Sequence, residues 1–138
     1  MSIITKMDHF TILSTDLAAT QAFYEMFGLS VGPRPAFSFG GLWFYCGKTP
    51  ILHVVEKQEI PQEPGVLDHM AFSGTDINAL LQRLTLENVG YTISQLPNPF
   101  KGWQVFFLDP NNAKVEIAFD IKDIPDEHHL NASLEQLR

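Results

Sequence analysis

Between Met7 and Leu13 apolar and polar positions alternate, with Phe10 and Ile12 on one face and His9 and Thr11 on the other. Period-two alternation of this kind predicts a strand. Asp16 then stands as a helix N-cap before Ala18 to Phe27, where Ala22, Phe23, Met26 and Phe27 make an apolar stripe at helical spacing. Gly28 is the natural stop, since glycine enters the left-handed region without steric cost. Three strands are predicted next, at about 29–33, 38–46 and 50–56. They are separated by the turn signals Gly40-Gly41 and Gly47-Lys48-Thr49-Pro50.

The second half repeats that order. Residues 67–73 read as a strand, and Asp76 caps a helix to about Asn88 whose apolar face is Leu80, Leu81 and Leu84. Gly90 is the expected stop, and strands follow at about 91–95, 103–108 and 114–119, the last two joined by the turn Asp109-Pro110-Asn111-Asn112. Identities accompany the repeat: Asp8-His9 and Asp68-His69, Thr15-Asp16 and Thr75-Asp76, and Ala19 and Ala79 stand at an offset of 60, while Gly28 and Gly90 stand at 62. The expected fold class is therefore α+β, with two βαβββ modules at about 6–57 and 66–120 forming one domain over 1–120. Residues 58–65, with Pro61 and Pro64, are the linker. Residues 121–138 are polar, with Leu130, Leu134 and Leu137 at weak helical spacing, and are expected to be an appended helix or a tail.

Composition narrows the function. With 138 residues, 45% hydrophobic and 18% charged, the chain is long enough for one globular core. Its net charge of −7 includes no run of Lys or Arg, so no nucleic-acid or anionic membrane partner is expected. A single cysteine, Cys46, excludes an internal disulfide framework and reads as a small buried residue. The first residues lack the apolar core of a signal peptide, and no apolar stretch approaches the roughly 20 residues a membrane span needs. A cytoplasmic location is the default expectation.

Candidate chemistry falls at equivalent places in the two modules. His9 and His69 lie on the first strands, and His53 and Glu116 on the last. Each is on the face opposite the apolar positions Phe10, Ile12, Leu52, Val54, Met70, Phe72, Val115 and Ile117. A lone histidine on a strand is usually structural. Three histidines and a glutamate at repeat-equivalent positions point instead to a divalent-metal site, because imidazole and carboxylate suit Zn, Ni, Fe, Co or Mn. Glu116 also needs a partner to offset the cost of burial between Val115 and Ile117.

The segments Asp8-His9-Phe10, Asp16-Leu17 through Phe27-Gly28-Leu29, Leu67-Asp68-His69-Met70-Ala71-Phe72 and Phe107 to Glu116 resemble the vicinal oxygen chelate superfamily. That group includes glyoxalase I, fosfomycin- and bleomycin-resistance proteins and extradiol dioxygenases. Members commonly place Asp-Pro-Asn/Asp-Gly before the metal-binding Glu; here Asn112 stands in the glycine position. The resemblance implies an open, cup-shaped mixed sheet with helices outside and a metal held by His9, His53, His69 and Glu116. It leaves His53 open, because the dioxygenases and fosfomycin proteins use a three-ligand set, here His9, His69 and Glu116.

Three functions follow as expectations. The first is a glyoxalase-like lyase or isomerase acting on a small oxygenated molecule, in which a metal stabilises an enediolate and Glu116 shuttles a proton. The second is an extradiol-type Fe(II) dioxygenase, with His53 as an acid or base beside the metal. The third is a metal-free, drug-sequestering binding protein. Tyr45, Gln104, Trp43 and Arg34 are the expected substrate-binding residues, with catalysis by Glu116 and His53. A homodimer is expected, because open half-sheets leave strand edges to be paired. His128-His129 reads as part of a solvated tail.

Overall fold

A computed structural model describes residues 2–63 and 65–136. Pro64 and Leu137, and the side chain of Leu134, lie outside the described residues. The first compact unit spans Met1–Gln62 and holds β1 (Phe10–Ser14), α1 (Leu17–Glu25), β2 (Ser30–Val31), β3 (Gly41–Cys46) and β4 (Thr49–Glu56). The second spans Glu63–Arg138 and holds β5 (Met70–Ser73), α2 (Ile77–Leu86), β6 (Tyr91–Gln95), β7 (Trp103–Leu108), β8 (Lys114–Phe119) and α3 (Glu127–Gln136). Each unit carries a four-stranded mixed sheet, ordered β1-β4-β3-β2 and β5-β8-β7-β6. In each, the first strand runs parallel to the last and the other pairs are antiparallel. The fold is α+β, built of two βαβββ modules. Among the described residues no helix is long and apolar enough to cross a membrane.

Both predicted N-caps form. Asp16 Oδ1 accepts from the Ala19 N–H at 3.0 Å and Asp76 Oδ1 from the Ala79 N–H at 3.2 Å, each meeting an N–H that the first helical turn leaves unpaired. The helix ends also match each other; the first stops at the glycine expected and the second does not. Gly28 is left-handed at φ 98°, and the next N–H, of Leu29, reaches back to the Tyr24 carbonyl at 3.2 Å. In α2 the left-handed residue is Asn88 at φ 56°, and the Val89 N–H reaches the Leu84 carbonyl at 2.9 Å. Asn88, not Gly90, is thus the equivalent of Gly28, which restores the offset of 60 along the whole helix. Asparagine tolerates this conformation, so a glycine was not needed.

The buried face of α2 is Ile77, Leu80, Leu81 and Leu84. That of α1 is Thr20, Phe23 and Tyr24, so the expected stripe was displaced: Ala22 is exposed. Thr20 is tolerated inside because its hydroxyl donates to the Asp16 carbonyl at 2.9 Å and lies 3.0 Å from the Ser14 hydroxyl. In the sheets Phe44, Leu52, Val54, Val105 and Val115 are at most 2% exposed. Burying a side chain of this size contributes about 1.5–3 kcal/mol. Asn112 takes φ 65° in the β7–β8 turn, and Asp109 Oδ1 accepts the N–H groups of Asn111 and Ala113 at 2.7 and 2.9 Å.

Two expectations fail. Cys46 is exposed, because β3 ends there and the Gly47 turn carries it into solvent beside Thr49. His129 is only 6% exposed: α3 packs on β6, where His129 Nδ1 meets the Tyr91 hydroxyl at 3.2 Å and Ser133 Oγ accepts the Ile93 N–H at 2.7 Å. The stretch before α3 is tied to α2 through Asp123 and Asn78.

Candidate functional site

In the first unit, parallel pairing sets Thr11 beside His53, so His9, two residues before Thr11, projects from the same face as His53. His9 lies one residue ahead of β1, not within it. The two imidazoles stack with centroids 3.8 Å apart and an interplanar angle of 18°. Trp43, the antiparallel neighbour of His53 on β3, covers the other side of His53 at 3.8 Å and 8°. His53 is therefore held between two rings. Burial, and then the neighbouring His9, push its pKa below the ordinary histidine value.

The free nitrogens decide what this pair can do. His9 Nδ1 is 2.6 Å from Asp8 Oδ2, and His53 hydrogen-bonds to the Pro50 backbone, which has only a carbonyl to offer. In a neutral ring each of these contacts takes the N–H and leaves the lone pair at Nε2. Among the described residues, His53 Nε2 is buried with no hydrogen-bond partner. A buried acceptor left in this state costs about 1–3 kcal/mol, and a bound cation would remove that cost.

The second unit repeats the frame with a different filling. Ala71 pairs with Glu116 on β8, and His69, just ahead of β5, shares their face. His69 Nδ1 is 2.8 Å from Asp68 Oδ2, and its Nε2 is 3.0 Å from Glu116 Oε1. Glu116 is 7% exposed. Phe106, the β7 neighbour of Glu116, stands edge-on to His69 at 5.4 Å and 85°. Lys114 Nζ bonds Asp68 Oδ2 at 3.0 Å and lies 5.4 Å from the Phe106 ring centre. Hydrogen bonds from the two histidines hold the Asp8 and Asp68 carboxyls below their usual pKa, with Lys114 adding to the effect at Asp68.

The expected substrate residues fall as follows. Trp43 shares the His53 face, and Gln104 lies on the Glu116 face, two residues from Phe106, with its Oε1 accepting from Ser94 Oγ at 3.1 Å. Tyr45 donates its hydroxyl to the Pro33 carbonyl at 2.6 Å, pinning the loop that carries Arg34. The Arg34 guanidinium donates to the Phe39 carbonyl at 2.9 Å and lies over the Phe37 and Phe39 rings at 5.3 and 5.7 Å. Asp8 and Asp68 were overlooked as site residues, although the recurring Asp-His dipeptide was their signal.

No family model and no curated protein matches the sequence. Solved structures do match. A glyoxalase/dioxygenase from Nostoc punctiforme aligns over 87% of this chain and 97% of its own, with TM-score 0.69 and 20% identity. The fosfomycin resistance protein FosX from Listeria monocytogenes aligns over 93% and 99%, with TM-score 0.68 and 17% identity. Lactoylglutathione lyase from Agrobacterium tumefaciens aligns over 86% and 96%, with TM-score 0.63 and 21% identity. This chain therefore shares its fold with these solved structures, as the resemblance in its sequence leads one to expect.

Proposed function

We propose that this protein is a cytoplasmic, divalent-metal-dependent enzyme acting on a small oxygenated molecule as a glyoxalase-like lyase or isomerase. His9, His53, His69 and Glu116 are its metal ligands, for Zn, Ni, Fe, Co or Mn. One observation carries the metal reading: His69 faces a carboxylate at each ring nitrogen, at 2.8 and 3.0 Å. A neutral imidazole has one N–H, so it cannot satisfy both carboxylates by itself. The second contact needs a proton or a cation between Nε2 and Glu116 Oε1, and a divalent cation shared by the two fills that place. The orphaned His53 Nε2 in the first unit supports the cation, since that nitrogen has no carboxylate to share a proton with.

When bound, such a metal supplies Lewis-acid polarisation of a substrate oxygen. The chain supplies the rest. Glu116 takes a proton from the carbon beside the substrate carbonyl and returns it to the adjacent position. Asp8 and Asp68, facing Nδ1 of His9 and His69, orient the two rings with Nε2 turned to the metal and strengthen it as a ligand. Trp43 and Gln104 give an apolar wall and an amide for orientation, and Arg34, on the loop held by Tyr45, meets a substrate carboxylate. One structural neighbour, named a lactoylglutathione lyase, is in keeping with this chemistry.

A second reading is an extradiol-type Fe(II) dioxygenase with His9, His69 and Glu116 alone on the metal. The sandwiching of His53 between His9 and Trp43, with its pKa lowered, favours it, because a neutral imidazole so held can act as a base. Metal content per chain in His9→Ala, His53→Ala, His69→Ala and Glu116→Ala, measured side by side, separates the two. Loss in all four supports the lyase site. Full occupancy in His53→Ala alone, with turnover reduced by about 10²–10⁴-fold, promotes the dioxygenase. Retention in all four overturns both. We also propose a homodimer, since each sheet ends in outer strands, β1 and β2 or β5 and β6, that offer pairing edges. Sedimentation showing only monomer at micromolar concentration overturns it.

A further inference from the structure

We propose a second cation site at the start of α3, formed by Asp126, His128 and His129 and suited to a borderline divalent ion such as Zn(II). One ligand atom from each of the three residues lies within 4.8 Å of the others. Donors about 2.0–2.2 Å from a tetrahedral zinc stand about 3.4 Å apart, so the set must close by little more than an ångström. Asp126 and His128 are exposed and turn to meet a cation at small cost, while His129 is fixed.

The fixing of His129 is what separates this cluster from a chance gathering of surface groups. His129 is 6% exposed, and its Nδ1 faces the Tyr91 hydroxyl at 3.2 Å, leaving Nε2 as the nitrogen for a cation. Outer hydrogen bonds of this kind set ring orientation and tautomer in ligating histidines. The imidazole of His128 lies 4.0 Å from that of His129, centre to centre, at 40°, although neighbouring residues on a helix ordinarily diverge. Backbone bonds hold the turn in this shape: the His129 and Leu130 N–H groups reach the Asp126 carbonyl at 3.0 and 3.2 Å, and the Asp126 N–H donates to Asn78 Oδ1 at 2.7 Å. The partial positive charge of a helix start opposes a cation, and the Asp126 carboxylate with Glu127 beside it offsets that charge. Three protein ligands leave a fourth position for water. The expected consequence is mechanical, with a cation fastening the first turn of α3 to β6 through Tyr91.

Zinc binding to the full chain, followed by equilibrium dialysis and calorimetry, tests this. The proposal expects two binding events. His128→Ala and Asp126→Asn, both at exposed positions and the latter keeping the side chain's shape, should weaken one event by about 10- to 100-fold and spare the other. His69→Ala should do the reverse, so the α3 site and the proposed enzyme site fail or survive separately. Zinc should also slow backbone amide exchange in α3 of the parent protein by at least about tenfold, and not in His128→Ala. A single event untouched by His128→Ala and Asp126→Asn overturns the proposal, as does α3 exchange that zinc leaves unchanged.

Discussion

The two modules share a frame and differ in what fills it. Trp43 is to His53 as Phe106 is to Glu116, each pair facing across an antiparallel register, and each histidine ahead of the first strand is anchored by the aspartate before it. In the first module the last-strand position holds a neutral ring, and the site is an aromatic stack. In the second it holds a carboxylate, and the site is an imidazole–carboxylate contact flanked by Lys114. The backbone repeat thus specifies where chemistry sits. The side chain at one position, His53 or Glu116, specifies whether it is charged.

The sharpest way to break that contrast is to erase the charge. Glu116→Gln keeps shape and removes the anion, while His53→Gln exchanges one neutral donor for another. A unit charge about 4 Å away is worth about 4 kcal/mol at an effective dielectric near 20, or roughly 10³-fold in an equilibrium constant. Glu116→Gln should therefore weaken zinc binding by about 10²–10³-fold, and His53→Gln by clearly less. Dissociation constants from competition with a chromophoric chelator give both numbers. Equal losses would mean that charge does not distinguish the modules.

The sequence carried most of the frame. β6, β7 and β8 begin and end at the residues expected, since alternation, the Asn111-Asn112 turn and the ladder all coincide there. β1 and β5 begin three residues late, at Phe10 and Met70. Alternation reports extended chain, and residues 7–9 and 67–69 are outside the ladders with β4 and β8. That offset leaves His9 and His69 at strand mouths. α3 was legible only as one of two alternatives, a helix or a tail: its buried positions include His129 and Ser133, a polar stripe satisfied by Tyr91 and the Ile93 N–H, which a search for apolar periodicity cannot see. Parity put His9, His53, His69 and Glu116 on the face opposite the apolar positions; the pairing of His9 with His53, and of His69 with Glu116, follows from strand register. The stacking of the first pair was not foreseen, because parity places two rings on one face without saying how they meet.

A smaller effect separates the two Asp–His anchors. Asp8→Asn replaces the carboxylate at His9 Nδ1 with a neutral amide and should weaken zinc binding by about 10- to 100-fold. Asp68→Asn should cost at least as much, because the same Oδ2 that meets His69 also holds Lys114 at 3.0 Å. Freed, that ammonium would stand closer to the cation side of the site. Asp68→Asn binding zinc more tightly than Asp8→Asn would remove Lys114 from the account.

The smallest expected effect is on the stability of the metal-free chain, and it again sets one module against the other. His53 in the first and His129 in the second both have pKa values lowered from 6.5, each chiefly by burial. A histidine with a lowered folded-state pKa binds fewer protons folded than unfolded, so stability rises with pH through this window. The contribution is complete above about 6.5 and is lost as pH falls from there toward the folded values. Urea unfolding of the metal-free protein should accordingly show a lower midpoint at pH 5.5 than at pH 7.5, without a change in slope. His53→Gln and His129→Gln should each remove part of that difference. His129→Gln should also lower the midpoint at pH 7.5, because it breaks the Tyr91 contact that docks α3. His53→Gln should do so less, because the contact it gives up, to the Pro50 backbone, lies within its own strand and docks no separate element. A midpoint that does not fall between pH 7.5 and 5.5 in the parent protein would mean that neither ring resists protonation in the fold, and the neutral stack of the first module would lose its basis.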